Sequence, residues 1–266
     1  MKFCVVDAFA ARPFAGNPAA VVPLDRDMSD AMRQAIAAEF NHAETAFTQA
    51  RADGRFDLCW FTPTREVPLC GHATQAAAHA LWEMGLAKRA APIRFMTRES
   101  GELICVPRGE RSIQMDFPAT AAAPAALPEN AAKVLGVNCP VSVVGTTAMN
   151  LTLRLASAED VRRCTPDLRE LSKWHPTGVT VTAPGDEAGV DFVSRFFAPQ
   201  SGVPEDPVTG SAHCTLAPYW ASVLGKTTFV ARQLSKRGGE LAVELHGSRV
   251  HLIGQAVTTM RGDLLL

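Results

Sequence analysis

Hydrophobic and polar positions along the chain form two long blocks that follow the same order. In each block, short segments with strand-like alternation lead to a turn-rich stretch and then to a helix headed by a glycine. The first helix is predicted to run from Gly71 to about Gly85 and the second from about Ser211 to Leu224. Both are apolar on nearly every side, which a surface helix is not. We therefore predict that each helix is wrapped by its own sheet.

The alternation also predicts the remaining elements of each block. In the first block, Ser29 is a good N-cap for a helix over Asp30–Phe40, and the predicted strands are Lys2–Phe9, Ala19–Pro23, Glu44–Gln49, Phe56–Thr62, Ile93–Thr97, Leu103–Pro107 and Ser112–Phe117. In the second block a helix is predicted around Asp160–Lys173, and the predicted strands are Val141–Val144, Leu151–Leu155, Gly178–Thr182 and Asp191–Phe197.

The duplication predicts an α+β protein with two pseudo-symmetric lobes, each a curled mixed β-sheet, barrel-like, around a central helix. Ala119–Pro128 is almost entirely Ala and Pro and is predicted to link a lobe over residues 1–118 to a lobe over residues 119–266. The C-terminal strand is free to cross back to the first lobe. We expect the active site in the cleft between the lobes, where two helix N-termini would offer free N–H groups to a carboxylate.

Composition narrows the class of partner. With 20% charged residues and a formal net charge of −1, the chain has no electrostatic attraction for nucleic acid or an anionic membrane. No apolar run approaches the roughly 20 residues of a membrane helix, and Asp7 comes too early for a signal peptide. We therefore predict a cytoplasmic protein that acts on a small molecule.

The cysteines and histidines show no metal-site spacing. The chain has 7 cysteines and no Cys-x-x-Cys pair, which favours reduced, mostly buried thiols. Among the histidines, only His72 and His79 share a predicted helix, and their separation is too long for a two-ligand site. We predict no bound metal.

Four residues are candidates for chemistry. Glu44 stands at the exit of a helix before an apolar strand, and a carboxyl group in an apolar cleft gains the proton affinity that a proton shuttle needs. His72 follows Gly71 at a helix start, where the helix dipole favours a neutral imidazole. Asp206 lies before the second Gly-headed helix, and Ser211 is the counterpart of His72. Each also has a structural interpretation, as an exposed carboxylate, a backbone-bonded residue or a turn cap.

Three further residues leave alternatives open. Cys70 has a thiol beside a predicted helix N-terminus, a position that suits a nucleophile or base. Its counterpart in the second block is Thr209, which has no thiol. A racemase that uses two thiols is therefore disfavoured. Asn17, between Gly16 and Pro18, is either a turn residue or a ligand contact, and the turn is favoured.

Five segments together resemble the phenazine-biosynthesis PhzF-like isomerase family, and they extend through most of the chain: Val5–Phe9, Gly16–Val22, Asn41–Phe47, Cys70–Thr74 and Asp206–Ala212. The resemblance implies a diaminopimelate epimerase-like fold, no cofactor and a homodimer. It matches Glu44 to the catalytic carboxylate of the family, and the assisting residues are matched by His72, Asp206 and Ser211. The predicted substrate-binding set is Gly71, Ala73, Gly210, Ala212 and Asn17.

The activity that the resemblance implies is a cofactor-independent isomerisation, in which a proton moves between carbons of a small carboxylate-bearing substrate. The type reaction is that of trans-2,3-dihydro-3-hydroxyanthranilate isomerase, with Glu44 removing a proton from one ring carbon and returning it to another. The alternatives are a proline-racemase-like epimerase or hydroxyproline dehydratase that uses Cys70 and Thr209, and a non-catalytic carboxylate-binding protein.

Overall fold

A computed structural model describes residues 1–176 and 178–266, and it divides the chain into two units. Unit 1 contains Met1–Asp116 and Ile253–Leu266, and unit 2 contains Phe117–Leu252. The chain therefore leaves unit 1 once and returns to it at its C-terminal end.

Unit 1 is built on a closed barrel. Its helices are α1 (Asp30–Phe40) and α2 (Gly71–Glu83), and its strands are β1 (Lys2–Ala8), β2 (Asn17–Leu24), β3 (Glu44–Ala50), β4 (Phe56–Phe61), β5 (Glu66–Val67), β6 (Ile93–Thr97), β7 (Glu102–Arg108), β8 (Ser112–Pro118) and the C-terminal part of β16 (Arg249–Asp263). Eight strands pair in the order β1-β2-β3-β4-β6-β7-β8-β16, and β16 pairs back with β1 to close the ring. Closure leaves no free sheet edge along this ring.

Helix α2 is the central helix of unit 1. Ten of its 13 residues are buried, and it contacts β1, β2, β3 and β7. The buried Gln75 side chain fixes its position: Oε1 accepts from the Phe9 amide at 2.8 Å, and Nε2 donates to the Gly254 carbonyl at 3.2 Å. A side chain at Gly254 would collide with the Phe9 ring. The prediction of an enclosed, apolar helix is confirmed for α2.

The described residues of unit 2 form an open sheet, four α-helices and a short 3-10 helix at Pro199–Ser201. The helices are α3 (Ala131–Leu135), α4 (Ala158–Arg163), α5 (Leu168–Leu171) and α6 (Gly210–Leu224), and the strands before β16 are β9 (Ser142–Thr146), β10 (Asn150–Arg154), β11 (Gly178–Pro184), β12 (Phe192–Ala198), β13 (Val203–Asp206), β14 (Thr228–Gln233) and β15 (Gly239–His246). The strand order is β16-β15-β14-β12-β11-β10-β9, with β13 added beside β12. Buried aliphatic side chains from β10, β11 and α4 form one core cluster of this unit.

The helix predicted around Asp160–Lys173 is wrong as a single element. It is interrupted after α4, where Cys164 has ψ 119°, and α5 begins only after Asp167. Pro166 explains the break, because a proline disfavours the helical conformation of the residue before it. The Asp167 side chain then accepts from two amides of α5 and caps a new helix.

Candidate active site

The loop between β1 and β2 sets the position of Asn17. Gly16 has φ +65°, and a Cβ there would collide with the Ala8 carbonyl oxygen, so the loop requires glycine. The buried Asp7 carboxylate accepts from the Phe14 amide at 2.7 Å and holds the loop closed. Asn17 then opens β2 instead of lying in the turn that the sequence favoured, and its side chain is buried inside unit 1.

His72 is the centre of a cluster of four side chains at the start of α2. Its Nδ1 lies 3.1 Å from Asn17 Nδ2 and 3.5 Å from Cys70 Sγ. Its Nε2 lies 3.3 Å from Glu44 Oε2. The structure therefore brings Glu44, His72 and Asn17 together, with Cys70 beside them.

The His72 ring is neutral and has a defined tautomer. Burial lowers the pKa of His72 to about 3, so the imidazole carries no charge at neutral pH. The Asn17 amide donates to Nδ1, which leaves the ring proton on Nε2, the nitrogen that faces Glu44. The sequence predicted a neutral imidazole from the helix dipole, whereas desolvation is the cause found here.

Glu44 is positioned by the end of α1 and the start of β3. Asn41 ends α1 with φ 50°, a left-handed conformation that redirects the chain into the strand. Thr45, Ala46 and Phe47 after it are fully buried, and Glu44 pairs with Ala19 in the parallel β2–β3 ladder. The Glu44 side chain is 18% exposed to solvent, so the carboxylate is accessible to a small molecule.

In unit 2, Asp206 is tied to the start of α6. Thr209 Oγ1 donates to Asp206 Oδ2 at 2.5 Å, and the buried Gln233 side chain donates to the Asp206 carbonyl at 2.6 Å and to Thr209 Oγ1 at 3.1 Å. Gln233 Oε1 accepts from the Thr209 amide at 2.9 Å. This polar network orders the Asp206–Thr209 turn.

The two Gly-headed helices begin alike. Cys70 and Thr209 are the N-caps, both in extended conformation and both without a side-chain cap bond, and the helices begin at Gly71 and Gly210. A polar side chain four residues after each N-cap bonds the N-cap carbonyl: Thr74 Oγ1 donates to it at 2.6 Å in unit 1, and His213 Nδ1 lies 2.8 Å from it in unit 2. The local geometry repeats the pattern that the sequence predicted.

The remaining predicted site residues lie in the first turns of these helices. Ser211 is exposed at the second position of α6, and His72 occupies the same position of α2. Ala73 and Ala212 are buried, so each offers a substrate only its backbone. The first N–H groups of a helix have no partner within the helix, which keeps these positions suitable for a carboxylate.

Sequence reasoning missed Gln233 and His213. Gln233 ends β14, in a segment for which no element was predicted, and its bonds to Asp206 and Thr209 span more than twenty residues. His213 is buried against Phe192, with ring centroids 6.0 Å apart, and burial lowers its pKa to about 4. Its spacing of four from Thr209 was the available signal, because a side chain can reach the carbonyl four residues back.

The Glu44, Cys70 and His72 side chains also place ligand atoms within 4.8 Å of one another. A carboxylate, a thiolate and an imidazole form a donor set that zinc accepts. Because the Asn17 amide donates to Nδ1, only Nε2 of His72 is available to such an ion.

A closed barrel around a buried helix, with a neutral imidazole at the helix start beside a carboxylate from β3, is an arrangement suited to acid–base chemistry. Residues 6–262 match the family described as phenazine biosynthesis-like protein, PhzC-PhzF, and the chain belongs to that family. It is 47% identical over 266 residues to an uncharacterized isomerase of Pseudomonas aeruginosa, covering 100% of this chain and 99% of that protein. The predictions of the family and of an isomerase are confirmed.

Solved structures agree on the fold. A phenazine biosynthesis PhzF-family protein of Enterococcus faecalis superimposes with a TM-score of 0.92 at 38% identity, covering 100% of this chain and 99% of the other. A hydroxyproline epimerase of Agrobacterium vitis has a TM-score of 0.60 at 12% identity, covering 98% and 91%, which is a likeness of fold alone. The predicted two-lobed, epimerase-like α+β fold is confirmed. Within residues 1–176 and 178–266, no helix has the length and apolar character needed to cross a membrane.

Proposed function

We propose that the protein is a cofactor-independent isomerase that moves a proton between two carbons of a small carboxylate-bearing substrate, with Glu44 carrying the proton. The proposed substrate is trans-2,3-dihydro-3-hydroxyanthranilate or a related carboxylate. The observation that carries the proposal is the 3.3 Å separation between Glu44 Oε2 and Nε2 of the buried His72 imidazole.

The chemistry needs a single carboxylate. Ionised Glu44 removes a proton from one carbon, and the electron pair of the broken C–H bond spreads into the conjugated substrate. Glu44 is then a carboxylic acid, and it returns the proton to a second carbon as the electrons shift back. The protein gains and loses no proton over the cycle, so no external acid, base or oxidant is required.

The neutral state of His72 supports this role. An imidazolium 3.3 Å from the carboxylate would form an ion pair and weaken it as a base. A neutral imidazole with its proton on Nε2 orients the carboxylate and leaves its charge available. Nε2 has no aligned hydrogen bond among the described residues, and catalytic bonds commonly tighten only when substrate is bound.

The other predicted residues complete the proposal. Asp206 and Ser211 assist the proton transfer, and the backbone amides around Gly71 and Gly210 bind the substrate carboxylate, as the resemblance implies. The ordering of Asp206 by Thr209 and Gln233 supports a fixed role for its carboxylate. We also propose a homodimer in the cytoplasm, which equilibrium sedimentation and cell fractionation would test.

Proton NMR in deuterated buffer with trans-2,3-dihydro-3-hydroxyanthranilate tests the role of Glu44. The wild type is compared with Glu44→Gln, which keeps the size and removes the base, and with Glu39→Gln, an exposed control on α1. We expect turnover by the wild type and the control and none by Glu44→Gln. Turnover by Glu44→Gln at the wild-type rate would refute the shuttle. A wild type that leaves the compound unchanged would refute this substrate and direct the search, by deuterium incorporation, to other carboxylates.

The racemase alternative has one observation in its favour, the thiol of Cys70 at 3.5 Å from His72 Nδ1. Under that alternative Cys70 is a base, and Cys70→Ser abolishes activity. Under the proposed mechanism Cys70→Ser retains most of the activity, because serine is similar in size to cysteine, the Asn17 amide still donates to Nδ1, and Glu44 is unchanged. The same NMR assay distinguishes the two.

A further inference from the structure

A hairpin in unit 2 carries three potential metal ligands on one face. Strands β15 and β16 are hydrogen-bonded neighbours joined by a turn over Gly247 and Ser248. Val243, Val250 and Leu252 point into the core and are fully buried. Because side chains alternate across a strand, the residues between them face outward: Glu244 and His246 from β15, and His251 from β16.

The three outward side chains converge. Glu244 Oε2 lies 3.1 Å from His246 Nε2 and 3.5 Å from His251 Nδ1. The two imidazole rings have centroids 4.5 Å apart, and all three ligand atoms lie within 4.8 Å of one another. One carboxylate oxygen and two imidazole nitrogens therefore surround a common point.

These separations fit tetrahedral coordination. With metal–ligand distances of about 2.0–2.2 Å and tetrahedral angles, two ligand atoms of one metal lie about 3.3–3.6 Å apart. The Glu244–His251 separation of 3.5 Å lies within this range, and the Glu244–His246 separation of 3.1 Å is shorter by a few tenths of an ångström, which small side-chain rotations supply. Two imidazoles and a carboxylate are also a donor set that binds zinc in proteins with a fourth position left for water.

We propose that Glu244, His246 and His251 bind one Zn²⁺ ion, with solvent completing the coordination. The hairpin holds the ligands on adjacent strands anchored by core residues, so little chain ordering is needed on binding. Exposure of 21%, 55% and 24% for the Glu244, His246 and His251 side chains gives the ion a direct entry path. All three residues belong to unit 2, whereas Glu44 and His72 belong to unit 1.

The competing interpretation is a surface ion pair between Glu244 and its histidines. Such pairs contribute at most about 1 kcal/mol, and they do not require two imidazoles to share one carboxylate oxygen. Metal binding does require that convergence, together with a neutral form of both rings. The two interpretations therefore differ in a measurable way, because only the metal site loses affinity when any one of three residues is replaced.

Isothermal titration of the full, metal-free chain with ZnCl₂ at neutral pH tests the proposal. We expect one equivalent bound with micromolar or tighter affinity in the wild type. Removing one ligand by Glu244→Gln, His246→Asn or His251→Asn is expected to weaken binding at least about 10-fold. Glu240→Gln removes the same charge from the same strand, where Glu240 pairs with Arg232, and is expected to bind as the wild type does.

Titration with Co²⁺ separates this site from the Glu44–Cys70–His72 cluster. A hairpin site has only nitrogen and oxygen ligands, so its Co²⁺ spectrum lacks a sulfur-to-metal charge-transfer band, and Cys70→Ser leaves it unchanged. The proposal is overturned if the wild type binds Zn²⁺ only at millimolar concentration. It is equally overturned if a folded His246→Asn/His251→Asn double variant, checked by circular dichroism, retains the wild-type affinity.

Discussion

The state of His72 yields the sharpest physical prediction, namely that this imidazole stays neutral as the pH falls well below 6. Burial lowers its pKa from 6.5 to about 3. That change corresponds to about 5 kcal/mol against the imidazolium in the folded protein, at about 1.4 kcal/mol for each tenfold change in proton affinity. The nearby Glu44 carboxylate favours the imidazolium and so raises the pKa of His72. The free-energy cost of protonating His72 is therefore at most about 5 kcal/mol.

The lowered pKa links His72 to stability. Between the folded value of about 3 and the unfolded value of 6.5, the unfolded chain binds more protons at this site than the folded chain. The contribution of neutral, buried His72 to the free energy of unfolding is therefore fully present above pH 6.5, and it is lost as the pH falls through 6.5 toward 3. From pH 7 to pH 5 the loss is about 2 kcal/mol.

The measurement has two parts. Nitrogen-15 NMR of histidine-labelled protein, with His72→Asn used to assign the signal, reports both the pKa and which ring nitrogen is protonated. Urea unfolding at pH 7 and pH 5 of both proteins then gives the linked stability. The wild type is expected to lose about 2 kcal/mol more than His72→Asn over this interval. His213, whose pKa is lowered to about 4, contributes to both proteins and cancels.

Two results would contradict the reasoning. A His72 pKa of 6.5 or above would mean that the Glu44 carboxylate offsets or outweighs burial, and about a quarter or more of the imidazole would then be charged at pH 7. A proton on Nδ1 instead of Nε2 would mean that the Asn17 amide presents its oxygen to the ring. Either outcome removes the neutral donor from beside Glu44 and weakens the proposed mechanism.

The remaining predictions concern two structural positions and are read from urea unfolding. Gly16→Ala is expected to destabilise the protein by about 1–3 kcal/mol or more, because φ +65° is unfavourable for alanine and its Cβ meets the Ala8 carbonyl; unchanged stability would contradict this. Arg195→Met is expected to cost about 3–5 kcal/mol, since Arg195 pairs with Glu205 and is largely buried, whereas Arg163→Met, at an exposed residue, should cost about 1 kcal/mol or less. Equal losses of unfolding free energy in these two variants would show that burial of the arginine does not determine how much its ion pair contributes to stability.

The starts of the two Gly-headed helices and the enclosure of α2 were predictable because the signal is local. A glycine after an extended residue, followed by a run of small apolar side chains without a polar face, indicates a helix inside a protein, and α2 and α6 begin at Gly71 and Gly210. The break between α4 and α5 was equally local. Pro166 indicated a helix end, but the apolar residues on both sides of it kept a helical spacing and led to the prediction of one continuous helix.

The relations between distant segments could not be read from the sequence. Asn17 contacts a ring 55 residues away, and its turn-like neighbours gave no sign that it would enter a strand. Apart from a C-terminal strand without stated bounds, no element was predicted after residue 224, where β14 supplies Gln233 and the β15–β16 hairpin brings His246 to His251. Counting residues between histidines along the chain does not detect ligands that meet across two strands.

The hydrogen bonds at the start of α6 bear on whether Cys70 and Thr209 can act as the two bases of a racemase. A racemase needs two bases, and Thr209 occupies in unit 2 the N-cap position that Cys70 occupies in unit 1. The Thr209 hydroxyl donates its proton to Asp206 and accepts from Gln233, so its hydrogen-bonding capacity is largely used in ordering the turn. A hydroxyl whose proton is held by a carboxylate is poorly suited to remove a proton from carbon. This weighs against a Cys70–Thr209 pair of bases and supports our proposal that a carboxylate, Glu44 beside its neutral imidazole, carries the proton.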